Sequence, residues 1–210
     1  MAPLATSDTA ATTAAEIIAR FATAAPRYTS YPTAPHFHDD VDFTAVAQAW
    51  RAASGPLGVY VHVPFCARRC LYCGCHVQIA RDRGLGTTYV DDLIRELDVM
   101  ADTTDFHRPL RLVALGGGTP TWLAWPDLQR LVTAIRARTA PTTDSEWSIE
   151  VDPRSITADD AHRLVALGFN RVSLGVQDLD PQVLEAIGRP QPAEQVAAIA
   201  KAFGDVRLNF

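Results

Sequence analysis

All four cysteines of this 210-residue chain fall within ten residues, in the run Cys66-Ala67-Arg68-Arg69-Cys70-Leu71-Tyr72-Cys73-Gly74-Cys75. Disulfides stabilise by closing long loops, so thiols set this close together point instead to metal or redox chemistry. The first three read C-x3-C-x2-C. Three thiolates at that spacing can hold three irons of a cubane cluster, whereas a fully closed iron–sulfur site takes four cysteines. The fourth iron would then keep an open position for a small molecule. Cys75 offers a fourth ligand, but one residue separates it from Cys73, which is tight for two ligands of one cubane. Tetrahedral zinc is the alternative; zinc usually draws two cysteine pairs from separated elements, and here all four lie in one loop.

Other residues able to do chemistry are scattered along the chain. Gly116-Gly117-Gly118-Thr119-Pro120 is a glycine run, which lets backbone N–H and C=O groups approach a ligand closely. It lacks the Gly-Lys-Ser/Thr ending of a phosphate loop and the spacing of a dinucleotide fingerprint, and alone it reads as a strand-to-loop transition. Glu150 can accept hydrogen bonds from a ribose or an ammonium group, and Arg189 can grip a carboxylate with a bidentate fork. Alone, however, Glu150 reads as a surface carboxylate and Gln177 as a polar residue at a strand end. Likewise Arg189 reads as a solvated loop arginine and Tyr60 as part of a strand core. Arg68 and Arg69 read as solvated. His36, His38, His62, His76, His107 and His162 show no paired metal spacing and read as structural or surface residues.

These groups need elements to position them. The sequence predicts a helix over 42–53, a β-branched strand over 59–65 that ends at the cysteines, and an amphipathic helix over 87–101. A second strand, 110–115, runs into the glycines and is followed by a helix over 126–138. A third strand, 147–151, ends at Asp152-Pro153. Thr157 caps a helix that runs to Leu167 and stops at Gly168. A fourth strand, 171–176, ends at Gln177. Helices over 181–187 and 193–203 precede a fifth strand over 206–210. This alternation predicts an α/β fold with a parallel sheet, and the nearly continuous apolar strands suggest that both sheet faces are covered. The cysteine loop, the glycines, Glu150 with Asp152, and Gln177 all follow strands. In a β/α barrel that carboxyl-terminal rim is where chemistry gathers.

At 48% hydrophobic residues, the chain can bury a core as one domain or most of one. A net charge of −5 argues against a nucleic-acid partner. Eighteen of the nineteen basic residues are arginine, Lys201 being the exception, a bias that codon composition explains. No apolar run approaches the ~20 residues of a membrane span. Residues 1–25 read as a loose tail with a short helix around 16–22, lacking the basic start and apolar centre of a secretory signal and the early arginines of a mitochondrial leader. Residues 26–55, which open on a proline-rich loop, form an N-terminal extension, and 56–210 the core domain. Clustered free thiols without an export signal indicate the cytoplasm.

The cysteine spacing after a strand, with Tyr72 just before the third cysteine, resembles the radical S-adenosylmethionine superfamily. The glycine run resembles that superfamily's motif after the second strand. More narrowly, the chain resembles the oxygen-independent coproporphyrinogen III oxidase family. The segments that carry this are 27–34 (Arg-Tyr-Thr-Ser-Tyr-Pro-Thr-Ala), 60–66, Cys73-Gly74-Cys75, 118–121, 149–154 and 171–178. A related heme-chaperone branch usually lacks the C-x-C and the Tyr-Thr-Ser-Tyr-Pro-Thr segment.

The resemblance implies a partial (β/α) radical-SAM barrel whose 4Fe–4S cluster is ligated by Cys66, Cys70 and Cys73. It implies two S-adenosylmethionine molecules, the first contacted by Tyr60, Gly117 and Glu150. Tyr72, Gly118, Thr119, Gln177 and Arg189 would contact the second. The implied reaction is radical oxidative decarboxylation of two propionates of coproporphyrinogen III to vinyl groups, giving protoporphyrinogen IX in heme biosynthesis. A flavodoxin- or ferredoxin-like reductant and a monomeric complete enzyme are implied as well. Such an enzyme continues beyond a fifth strand, so the chain is expected to be a fragment that folds poorly by itself. A heme-binding chaperone and a zinc-stabilised structural module are the rival readings.

Overall fold

The computed structural model describes residues 34–210, together with positions 13, 16, 19 and 20. Most of the expected helix over 16–22 and the segment 27–33 lie outside the described residues. The chain divides into two units, at Asp42/Phe43. In the first, a 3-10 turn covers Ala34–His36.

The second unit opens with helix α1, Phe43–Ala52, followed by strand β1, Leu57–Val63. Two short strands, β2 (Phe65–Cys66) and β3 (Gln78–Ile79), bracket the cysteine loop. Then follow α2 (Gly84–Thr103), β4 (Pro109–Gly117), α3 (Trp125–Arg138) and β5 (Ala140–Val151). The remainder is α4 (Ala158–Ala166), β6 (Arg171–Leu174), α5 (Pro181–Ala186), α6 (Ala193–Ala202) and β7 (Arg207–Asn209). Strands β1, β4, β5, β6 and β7 form one sheet in that order, with every pair parallel. This is the α/β architecture expected, a partial β/α barrel in which each strand lies beside its predecessor.

One expectation needs correction: the main strands are not covered equally on both faces. Val61, Val63, Val113, Leu115, Trp147, Ile149, Val151, Val172 and Leu174 are buried, packing with Leu131, Val132, Ile135, Ala161 and Leu164 of the helices. Their neighbours in sequence, Tyr60, His62, Ser148, Glu150, Arg171 and Ser173, are half-buried or exposed. Strand side chains alternate faces, so the helices cover one set and the other set is left to build a site.

Several boundaries differ for local reasons. Helix α2 begins at Gly84, not Thr87, and the Asp82 carboxylate just before it accepts from the Gly84 N–H at 2.8 Å. Thr87 instead donates its hydroxyl to Asp127 at 2.8 Å. A Cβ on Gly86 would sit 3.1 Å from Leu123 and 3.3 Å from Trp122, so this glycine lets the helix approach closely. Strand β5 starts seven residues before Trp147, through a polar stretch whose Ser145 hydroxyl donates to the Leu110 carbonyl at 2.6 Å beside a register shift. Thr157 caps α4 as expected, with Asp160 completing a reciprocal capping box. Among the described residues no helix is long and apolar enough to cross a membrane.

Ile149 is fully buried in the central strand. Ile149→Ala should lower unfolding stability by about 2–5 kcal/mol through lost transfer energy and the cavity left behind. The measurement is a fall in denaturant midpoint at unchanged slope. The partly exposed Val165→Ala is the control, expected to change stability by under ~1 kcal/mol.

Candidate functional site

The cysteine loop is closed at its base by backbone pairing. Gln78 N–H donates to the Pro64 carbonyl at 2.7 Å and Ala80 N–H to the Cys66 carbonyl at 3.1 Å, which makes the β2–β3 pair. Two residues per strand leave no periodic signal, so nothing in the sequence announces this clasp. Between its jaws run Cys70, Cys73 and Cys75, all of them free thiols; the first three cysteines are partly buried and Cys75 is exposed.

The glycine run docks onto the start of this loop. Gly118 N–H donates to the Val63 carbonyl at 2.8 Å and Thr119 N–H to the Phe65 carbonyl at 2.9 Å. The Thr119 hydroxyl then lies 3.3 Å from Cys66 Sγ. Three successive positions exclude a side chain for three separate reasons. A Cβ on Gly116 would come within 2.9 Å of the Glu150 carboxyl, and one on Gly118 within 2.8 Å of the Pro64 and Phe65 backbone. Gly117 has a φ of 107°, and its Cβ would meet the His62 ring at 2.5 Å.

Glu150, from β5, accepts from the Gly117 N–H at 3.1 Å, so β4 and β5 are tied at the rim. Tyr60 projects from β1 on the same sheet face, its hydroxyl 3.2 Å from His62 Nδ1. His62 Nε2 reaches the His76 carbonyl at 3.0 Å, just before β3, so this histidine braces the far end of the cysteine loop. Sequence reasoning misses that role, because a lone histidine carries no spacing signal. Burial raises the Tyr60 phenol, and the negative charges of Glu150 and Cys75 raise it further.

On the other side of the loop, Arg189 is buried and its Nη1 lies 3.2 Å from Cys70 Sγ. Its Nη2 donates to the Gly175 carbonyl at 2.6 Å and to Asp152 Oδ1 at 3.2 Å, while its Nε has no hydrogen-bond partner among the described residues. Arg189 is therefore not the solvated loop residue that its Gly-Arg-Pro context suggests. Arg154, which the sequence marks only as the end of the 149–154 segment, also reaches Cys70 Sγ, at 3.9 Å. Gln177 adopts a φ of 69°, rare for a residue with a Cβ, and places its side-chain amide beside Gly175 and Arg189. Tyr72 lies next to Cys70 and Arg189; burial raises its phenol, which the Arg189 charge opposes.

Burial pushes the Cys66 thiol up, the Thr119 hydrogen bond opposes this, and charge on Cys73 and Cys70 adds to it. Cys75 is raised by burial and then by Cys73. At Asp152 burial pushes the carboxyl upward, but hydrogen bonds from Arg154 and the Arg189 charge outweigh it and hold the group below its ordinary range.

The structure thus brings ten of the eleven expected site residues together at the carboxyl-terminal rim, and the eleventh, Cys73, lies beside Cys70 in the loop, its N–H donating to the Cys70 carbonyl at 3.1 Å. Tyr60, Gly117 and Glu150 lie on one side and Cys70, Tyr72, Gln177 and Arg189 on the other, with Cys66, Gly118 and Thr119 between. Among the described residues no three such side chains already stand together around a single metal position, but by their chemistry the free thiols of one closed loop, with guanidinium groups at one of them, suit a cluster whose thiolate ligands bring negative charge.

A family model for the radical SAM superfamily matches residues 60–209, and the chain belongs to that superfamily. Membership implies a 4Fe–4S cluster and S-adenosylmethionine as cofactors, the choice that the cysteine spacing left open against zinc. Among individual proteins, the chain is 39% identical over 193 residues to oxygen-independent coproporphyrinogen III oxidase of Pseudomonas aeruginosa, covering 90% of this chain and 42% of that protein. It is 42% identical over 191 residues to the enzyme of that name from Bradyrhizobium diazoefficiens, covering 88% of this chain and 42% of the relative. The solved structure of coproporphyrinogen III oxidase from Escherichia coli, described as a radical SAM enzyme, superposes with a TM-score of 0.79 at 38% identity. That match covers 86% of this chain and 42% of the solved one. The chain spans about 42% of the length of the curated relatives it matches.

Two outcomes follow from this geometry. Gly118→Ala, tested in the full-length protein, should lose bound iron after anaerobic reconstitution and melt at lower temperature, because its Cβ meets backbone that cannot swing away. Gly74→Ala, with nothing within 4 Å of its Cβ, should keep both. Equal iron in the two variants would contradict the docking role. In the metal-free protein, the lowered Asp152 carboxyl stabilises the native state fully above its unfolded value of about 4, and that contribution fades as pH falls through the native value. The stability gap between wild type and Asp152→Asn should therefore be constant above about pH 5 and shrink on acidification, as followed by denaturant melts across pH.

Proposed function

We propose that this chain is the cluster-bearing region of an oxygen-independent coproporphyrinogen III oxidase, an oxidoreductase that converts two propionates of coproporphyrinogen III to vinyl groups on the way to heme. The observation that carries this is the Cys66-x3-Cys70-x2-Cys73 loop seated against Gly118 and Thr119, in a chain similar over 90% of its length to a relative of that name. When bound, the cluster supplies an electron for reductive cleavage of the sulfonium cofactor, the start of oxidative decarboxylation.

The residues of this chain bind and orient. Cys66, Cys70 and Cys73 would hold the cluster, with Thr119 positioning Cys66 through its hydroxyl. Glu150, anchored by the Gly117 N–H, presents a fixed carboxylate to the ammonium or ribose hydroxyls of a first S-adenosylmethionine, alongside Tyr60. Gly118, Thr119, Tyr72, Gln177 and Arg189 would face a second such molecule. Arg68 and Arg69 are exposed at the loop, accessible to a protein reductant. A flavodoxin- or ferredoxin-like donor and a cytoplasmic location complete the reading.

The test is anaerobic assay of the reconstituted full-length protein with coproporphyrinogen III, S-adenosylmethionine and a reductant. Vinyl product and 5′-deoxyadenosine are expected to appear together in wild type, and both to fall to background in Cys70→Ala with loss of iron. A Cys70→Ala protein that keeps its iron and still cleaves the sulfonium compound would sink the proposal.

A further inference from the structure

Among the described residues, Cys70 is the expected cluster ligand whose sulfur is approached by fixed cations. Two guanidinium groups reach its sulfur, Arg189 Nη1 at 3.2 Å and Arg154 Nη2 at 3.9 Å. Cys66, in contrast, faces the neutral hydroxyl of Thr119. Both arginines are aimed by a single carboxylate. Arg154 grips Asp152 with its Nη2 at 2.7 Å and its Nε at 3.0 and 3.2 Å, and its own backbone N–H adds a fourth bond at 3.0 Å. Its remaining Nη1 ties to the Gly188 carbonyl at 3.4 Å, next to Arg189 in the chain. Arg189 takes Asp152 Oδ1 from the other side at 3.2 Å.

The side chains of Arg154, Asp152 and Arg189 are only 20%, 16% and 7% exposed. A purely structural ion pair would match one arginine to one carboxylate. Here a second, buried arginine is added at the expense of an unpartnered Nε, and the surplus positive charge points at sulfur. Charges withdrawn from water are weakly screened, and charge and hydrogen bonding at the ligating sulfurs tune the potential of an iron–sulfur cluster.

We infer that Arg154 is a positioning residue which, with Asp152 and Arg189, forms a cationic clamp on Cys70 and raises the potential at which the cluster accepts its electron. The inference rests on the cluster reading given under Proposed function. Asp152 is the hinge of the clamp: it orients both arginines and offsets one of their two charges.

The experiment is a dithionite titration of the anaerobically reconstituted full-length protein, with the midpoint potential followed by the electron paramagnetic resonance of the reduced cluster. Arg154→Gln removes a positive charge and should shift the midpoint downward at wild-type iron content. Arg154→Lys should restore part of that shift. Asp152→Asn removes the offsetting charge yet keeps a carbonyl acceptor, and should shift the midpoint upward. Opposite signs are the signature of a field, because simple loosening of the loop would not reverse direction between the two variants. Should Arg154→Gln fail to hold iron, the sign for Asp152→Asn decides. Wild-type midpoints in the variants, shifts of the same sign, or loss of iron from all three would overturn the inference. A wild-type protein with no cluster at all would overturn the functional reading instead.

Discussion

The rim of this sheet depends on a place where no side chain fits. Gly118 lies flat against the backbone of Pro64 and Phe65, and the hydrogen bonds from Gly118 and Thr119 to Val63 and Phe65 join the ends of the first two main strands. Because that contact is backbone on backbone, it has little freedom to relax. It fixes where the cysteine loop begins and turns the Thr119 hydroxyl toward Cys66. Gly116 and Gly117, the two residues before it, apply the same constraint to Glu150 and His62. A run that reads as mere flexibility thus works through close approach.

Around that contact the charges divide. Carboxylate and phenol groups, Glu150 and Tyr60, lie on the side of β1 and β5, whereas the guanidinium groups of Arg154 and Arg189 meet Cys70 on the side of β6. A chain with a net charge of −5 therefore keeps buried positive charge beside a thiol. Thiolates gathered in one loop repel one another, and cations held nearby relieve that repulsion. The polar face of the sheet makes this possible, since the helices cover only the other face.

Much of this is legible in the amino-acid order alone. The alternation of apolar strands with amphipathic helices specifies a parallel sheet, and Thr157 marks its helix by a local hydrogen bond that depends on neighbours three residues away. The cysteine spacing, the glycines and the residues after each strand are visible as candidates. Less legible are features whose partners are remote. The polar start of β5 is held by a serine bonding to another strand. That defeats a reading based on hydrophobic period, because the stabilising group is polar.

What the amino-acid order determined by itself was short-range: which residues form strands, where helices are capped, and that three thiols sit within one loop at ligand spacing. Only the tertiary structure decided the contacts across the rim. Arg189 and Cys70 are more than a hundred positions apart, as their hydrogen bond spans 119 residues, and no local pattern ties them. His62 became a brace and Arg189 a buried cation because segments distant in the chain are brought side by side by backbone pairing. Pairing of that kind is set by the packing of the whole sheet, and single residues record it only as spare polar groups whose partners lie elsewhere.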